Sequence, residues 1–121
     1  MVVDLHGNYP DDLGCRFGAA EDGGLLQKII QQAWETGAAE LSLIHGHGQN
    51  RGLSVGFVNT NTGFLGLCVR RALRRALRAK DHTLRQWIKP STLDCSDRGV
   101  TSIKLKPNPV PTRKELDCLT K

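Results

Sequence analysis

The chain has 121 residues and a mass of 13.3 kDa, and 39% of its side chains are hydrophobic; that suffices for one two-layer core and is too little for two domains. Seventeen Lys and Arg against twelve Asp and Glu give a net charge of +5, and no apolar run approaches the roughly 20 residues that span a bilayer. The first residues lack the basic-then-apolar plan of an export signal, so the expectation is a cytoplasmic protein. Its four cysteines (Cys15, Cys68, Cys95, Cys118) are expected to be reduced thiols, since their spacing fits no zinc knuckle.

Val2 to His6 is a short apolar-rich run closed by Gly7 and reads as a buried strand. Residues 8–24 are turn-rich and predict a loop, with a helical turn around Cys15 to Ala20. From Leu25 onward, Leu25, Leu26, Ile29, Ile30, Ala33 and Trp34 recur on one stripe at helical spacing. Gln27, Lys28, Gln31, Gln32 and Glu35 take the opposite face. Gly37 stands where a helix ends in a left-handed residue. Ala39 to His45 predicts a second buried strand. Strand, crossover helix and strand make a βαβ unit, so the two strands are expected to be parallel neighbours.

Residues 49–63 are polar and rich in glycine, a long loop for so small a domain and therefore expected to be functional or mobile. A second helix is predicted from Phe64 to Lys80, with Leu65, Cys68, Val69, Ala72, Leu73, Ala76 and Leu77 inward. Arg70, Arg71, Arg74, Arg75, Arg78 and Lys80 occupy its other faces, with no acidic residue among them. Thr83 to Lys89 and Val100 to Lys106 predict two further strands. After Lys106 come Pro107, Pro109 and Pro111 and a charged tail, expected to be extended or disordered. The expected fold class is α/β: one two-layer sandwich over residues 1–106, ordered β-α-β-α-β-β, with two main helices on a mixed four-stranded sheet, followed by the tail at 107–121.

The charge is polarised along the chain. Residues 1–50 carry two basic and seven acidic side chains; residues 51–121 carry fifteen basic and five acidic. An unmixed cationic helix preceded by a loop containing Arg51 favours contact with a polyanion, because the planar guanidinium fork matches phosphate oxygens. Asp4 and His6 are two apart on a strand and project together near its C-terminal end, where parallel α/β sheets bind ligands. A carboxylate beside an imidazole holds one tautomer and leaves the other nitrogen for proton transfer. His45-Gly46-His47-Gly48 closes the second strand beside them. Its glycines permit close backbone approach and its amides are placed to cradle a phosphate. A metal-binding regulatory protein using His45 and His47 is a weaker reading of the same residues.

Asp4-Leu5-His6-Gly7 and Ile44-His45-Gly46-His47-Gly48 resemble the two signature motifs of the small MutS-related (Smr) domain, and the likeness extends over roughly residues 2–106. The resemblance implies a fold similar to the C-terminal domain of translation initiation factor three. It also implies an endonuclease that nicks DNA or cleaves RNA, in some members on messenger RNA at stalled ribosomes. Carried over, it places catalytic roles on Asp4 and His6, and substrate-contact or catalytic roles on Gly46, His47 and Gly48. Two departures bear on substrate preference: residues 8–24 separate the first motif from its helix, and residues 52–63 are inserted after the second.

The sequence thus predicts catalysis by Asp4, His6 and His47. Substrate is expected at Gly7, Gly46, Gly48, Arg51, Arg70, Arg71, Arg74, Arg75 and Arg78. RNA cleavage through the 2′-hydroxyl would need no cofactor, whereas DNA cleavage would call on a divalent metal such as Mg²⁺ or Mn²⁺. The expected partner is nucleic acid, free or in a ribosome, and not a membrane. The alternative is a non-catalytic nucleic-acid- or ribosome-binding module in which the same residues only grip phosphate.

Overall fold

A computed structural model describes residues 1–46, 63–80 and 82–119. Its elements in chain order are β1 (Val2–Asp4), α1 (Pro10–Leu13), α2 (Leu25–Glu35), β2 (Glu40–Ile44), α3 (Phe64–Arg78), a 3₁₀ turn (Thr83–Gln86) and β3 (Val100–Lys104). The class is mixed α/β. Among the described residues the sheet has three strands in the order β1-β2-β3.

The parallel pairing expected of the βαβ unit is present. Val2 faces Ser42, Val3 faces Leu43 and Asp4 faces Ile44, and the ladder continues past β1 where the Leu5 amide donates to the Ile44 carbonyl at 2.6 Å. β3 runs antiparallel on the other side of β2, with Val100 opposite Ile44 and Lys104 opposite Glu40. The C-terminal ends of β1 and β2 and the start of β3 therefore lie along one edge of the sheet.

Alternation along the strands sends Val3, Leu41, Leu43, Thr101 and Ile103 inward. Ser42 and Ser102 point to the other face and join hydroxyls at 2.9 Å. α2 covers the inner face with Leu26, Ile29, Ile30 and Ala33, and α3 with Cys68, Val69, Ala72, Leu73 and Ala76, all in one continuous core. The apolar stripe predicted for each helix is buried or half-buried, and two residues expected on the outer faces are buried with it, Arg70 of α3 and Gln27 of α2. The Gln27 side-chain carbonyl accepts from the Gly23 amide and its amide donates to Asp22 at 3.0 Å, which ties the preceding loop to the start of the helix. α2 ends as expected: Gly37 adopts a φ of 83° and its amide donates to the Trp34 carbonyl.

Two expectations are corrected. The helical turn of the first loop lies at Pro10–Leu13 and not around Cys15 to Ala20. Pro10 presets the first helical φ and gives up no needed donor there, and Leu13 is fully buried beneath it. Thr83–Gln86 is a 3₁₀ turn and not part of a fourth strand; Ile88 makes only a single bridge to Leu105, and Asp94 another to Ser102. The buried residues of this segment are Leu84, Trp87 and Ile88, which is helical spacing. The His82 side chain caps the turn by accepting from the Leu84 amide at 3.1 Å, and Pro90 then has no amide to offer a ladder.

The segment after Lys106 lies against α2. Asn108 donates to the Trp34 carbonyl at 2.9 Å, and the amides of Thr112 and Arg113 donate to the Glu35 carbonyl, filling acceptors that a helix end leaves open. Arg113 pairs with Glu35 at 3.1 Å and with Asp117 at 2.7 Å. No helix among the described residues is long and apolar enough to cross a membrane.

Leu43 sits at the centre of this arrangement, fully buried on the middle strand. Leu43→Ala is expected to lower stability by about 2–5 kcal/mol, from lost transfer energy and the cavity left behind. Urea denaturation measures it, and a loss below about 1 kcal/mol would place Leu43 outside the main core.

Candidate active site and cationic cleft

Asp4 ends β1, and His6 follows two residues on, where the chain leaves the sheet. Asp4 Oδ1 accepts from the His6 backbone amide at 2.9 Å and meets His6 Nδ1 at 3.1 Å. A carboxylate can only accept, so in the neutral ring the Nδ1 contact selects the tautomer that carries its proton on Nδ1 and its lone pair on Nε2. Both side chains remain solvent-facing, His6 at 60% and Asp4 at 64% exposure. Gly7 turns the chain with a φ of 83° and has open space where a Cβ would be.

The second motif meets the first through Gly46. His6 Nε2 lies directly over the Gly46 Cα, so closely that any Cβ there would collide with the ring. Gly46 also has a φ of 74°, a conformation unfavourable for other residues. Both reasons for glycine thus coincide where the chain beyond β1 meets the end of β2. The expectation that the Gly46 amide cradles phosphate is corrected: that amide donates to the Gly99 carbonyl at 3.0 Å, as does the His45 amide. His47, Gly48 and Arg51, together with residues 52–62 of the insert, lie outside the described residues.

His45 faces the opposite way from His6. Its ring is 3% exposed, with Nδ1 3.0 Å from the Gly46 carbonyl and Nε2 2.8 Å from the Thr101 hydroxyl. A carbonyl only accepts, so Nδ1 carries the proton, and the Thr101 hydroxyl donates to Nε2. The Thr101 oxygen in turn accepts from Arg70 Nε at 2.8 Å. The result is a directed chain from Arg70 to Thr101 to His45 to the Gly46 carbonyl, every donor matched to an acceptor. Both His45 nitrogens are committed to it, so the ring has no lone pair left for a metal ion in this arrangement. Burial is the main cause holding His45 below its ordinary pKa of 6.5.

That chain also corrects the assignment of Arg70 to phosphate binding. Arg70 is 6% exposed, and its terminal amine donates to the carbonyls of Asp97 and Val100 (3.1 Å to Val100). It secures the loop before β3, and with it the edge of the sheet. The next arginines differ. Arg71, Arg74, Arg75 and Arg78 are exposed, and they line a cleft of about 420 Å³ together with Phe17 and Gly18. Sequence patterning gives no sign of Phe17, because an isolated aromatic in a turn-rich stretch belongs to no periodic repeat.

The cysteines need little chemistry to explain them. Cys15 and Cys68 are core side chains. Burial, with Cys68 and Glu21 adding to it, pushes the Cys15 thiol up to about 12, which keeps it protonated and unreactive. Among the described residues no three His, Cys, Asp or Glu side chains stand together as a metal-holding group.

Comparison with protein-family models, with curated proteins and with solved structures finds no match. The functional reading therefore rests on the residues themselves.

Two outcomes are expected. Because folded His45 resists protonation and the unfolded chain does not, stability falls as pH drops below about 6.5. Urea midpoints at about pH 7.5 and about pH 5.5 measure the fall, and it should be smaller in His45→Gln; equal falls would remove His45 as the cause. Arg70→Ala, which strips donors from the Thr101 hydroxyl and the carbonyls of Asp97 and Val100, is expected to cost about 2–5 kcal/mol. Arg75→Ala, at an exposed position, should stay within about 0.5 kcal/mol of wild type in the same denaturation experiment.

Proposed function

We propose that this chain is a nucleic-acid endonuclease of the Smr type, with His6 as its proton-transfer group and Asp4 as the residue that orients it. The observation that carries the reading is the Asp4–His6 pair at the C-terminal edge of two parallel strands, with Nε2 set against the glycine of the second motif. A neutral imidazole held in one tautomer at a solvent-facing edge is equipped to remove a proton from a polyanionic substrate laid across that edge. Asp4 then stabilises the imidazolium that forms.

On RNA, His6 Nε2 takes the proton of a 2′-hydroxyl. That oxygen attacks the adjacent phosphorus, the bond to the 5′-oxygen breaks, and the leaving oxygen takes a proton from a second acid. The products are a cyclic phosphate and a 5′-hydroxyl. His47 of the second motif is the proposed second acid. On DNA, water must replace the 2′-hydroxyl and a divalent ion would supply its activation. The described residues offer no group of three ligands for such an ion, and the RNA route calls for none. Arg71, Arg74, Arg75 and Arg78 supply the sequence-independent grip on the phosphate backbone, which makes binding steeply salt-dependent. A cytoplasmic setting, where thiols stay reduced, accords with this reading.

One observation favours the binding-module alternative: the arginine cleft is lined by neither Asp4 nor His6, so grip and chemistry are separable. The test is cleavage of end-labelled RNA and of supercoiled plasmid at low salt, with EDTA or Mg²⁺. Asp4→Ala/His6→Ala is expected to lose at least about 100-fold in rate, the scale of general acid–base catalysis, while binding nucleic acid nearly as well as wild type. Equal traces from both proteins would overturn the endonuclease reading and leave the binding module.

A further inference from the structure

Phe17 is 79% exposed, the most exposed large apolar side chain among the described residues. It is nonetheless firmly mounted. The Cys15 side chain is buried in the core, and the Gly18 amide closes a tight turn onto the Cys15 carbonyl at 3.0 Å, which leaves Arg16 and Phe17 at the tip. The turn is fixed to α3 as well, since the Cys68 thiol donates to the Arg16 carbonyl at 3.8 Å. Gly18 has a φ of 74°, and a Cβ there would stand in van der Waals contact with the Arg71 side chain at 3.4 Å. The turn therefore packs directly against the first of the exposed arginines.

Arg71, Arg74, Arg75 and Arg78 follow one face of α3 at intervals of three and four residues. At a rise of about 1.5 Å per residue the row is roughly 10 Å long, comparable with a few nucleotide steps of about 3.4 Å. Arg16 adds a guanidinium 5.3 Å from the Phe17 ring centroid, itself steadied by Asp11 at 3.2 Å. The assembly is thus an aromatic platform at one end of a cationic cleft.

We propose that Phe17 stacks on an unpaired base of a single-stranded nucleic acid whose phosphates lie along Arg71, Arg74, Arg75 and Arg78. The arginines alone do not distinguish strands, because they meet phosphate in single strands and duplexes alike. The ring does. Bases inside a duplex already stack on both faces, whereas an unpaired base offers its face to an aromatic side chain. An acidic peptide would use the arginines but does not offer the ring a π-face at every phosphate-like step, as a run of unpaired bases does. This inference deepens the nucleic-acid reading above and makes single strands the preferred substrate.

The experiment is fluorescence anisotropy with a labelled single strand of roughly 12 nucleotides and with its duplex, each titrated over a range of salt. Phe17→Ala is expected to weaken single-strand binding about 5- to 150-fold, to leave duplex binding unchanged, and to keep the same salt slope. Phe17→Trp is expected to restore affinity, with its indole fluorescence quenched on binding. Arg71→Ala/Arg75→Ala should instead flatten the single-strand salt slope by about 1.4. Equal effects of Phe17→Ala on both substrates, or none on either, would overturn the stacking platform while leaving nucleic-acid binding in place. Wild-type protein that binds neither substrate would overturn both. Phe17-dependent binding without any cleavage would uphold the platform and remove only the endonuclease.

Discussion

The parallel pairing of β1 with β2 is the constraint on which the rest of the molecule depends. Its register puts Asp4 opposite Ile44, so two motifs some forty residues apart end at the same edge of the sheet. Because the next residues leave the strands together, His6 lies over Gly46. A register shift of one residue would turn each inward leucine of β2 outward, and the apolar core forbids it. The same burial that holds the fold therefore holds the histidine in place.

A second constraint works from below the edge. Arg70, Thr101 and His45 form a buried polar chain that ends on the Gly46 carbonyl. Buried polar groups are costly unless each is satisfied, and here they are satisfied in one direction only. The chain joins α3, β3 and β2 at the point where β2 stops. It makes His45 a neutral structural group while His6, just beyond the end of β1, stays in solvent. Two histidines in similar sequence contexts thus take opposite roles because one strand position faces the core and the other leaves the sheet.

Helix α3 divides its arginines by the same geometry. Position 70 falls beside the apolar stripe and meets the carbonyls of the loop preceding β3; positions 71, 74, 75 and 78 fall beyond it and meet solvent. One helix consequently supports the sheet edge with one guanidinium and presents four to solvent along the cleft. The turn that carries Phe17 packs on this outer side, so the loop between β1 and α2 shapes the cleft and the β1 end shapes the dyad.

The sequence by itself determined the elements whose periodicity is unmixed. The stripe of α2, its stop at Gly37, the extent of α3 and the parallel β1–β2 pair were legible because an apolar repeat of 3.6 or 2 leaves only one way to bury itself. The Asp4–His6 pair was legible for the same reason, through the alternation of a strand. Tertiary structure decided the rest. Thr83–Gln86 became a 3₁₀ turn because Leu84, Trp87 and Ile88 could reach the core together only by curling. Arg70 and Gln27 turned inward, and the Gly46 amide found Gly99, because their partners come from distant segments whose approach no local pattern records. Phe17 was illegible for the converse reason: it contributes nothing to the core, and its significance comes from the arginines that folding brings beside it. Periodicity reports what must be buried, whereas the partners of a buried polar group and the company of an exposed ring depend on where the whole chain goes.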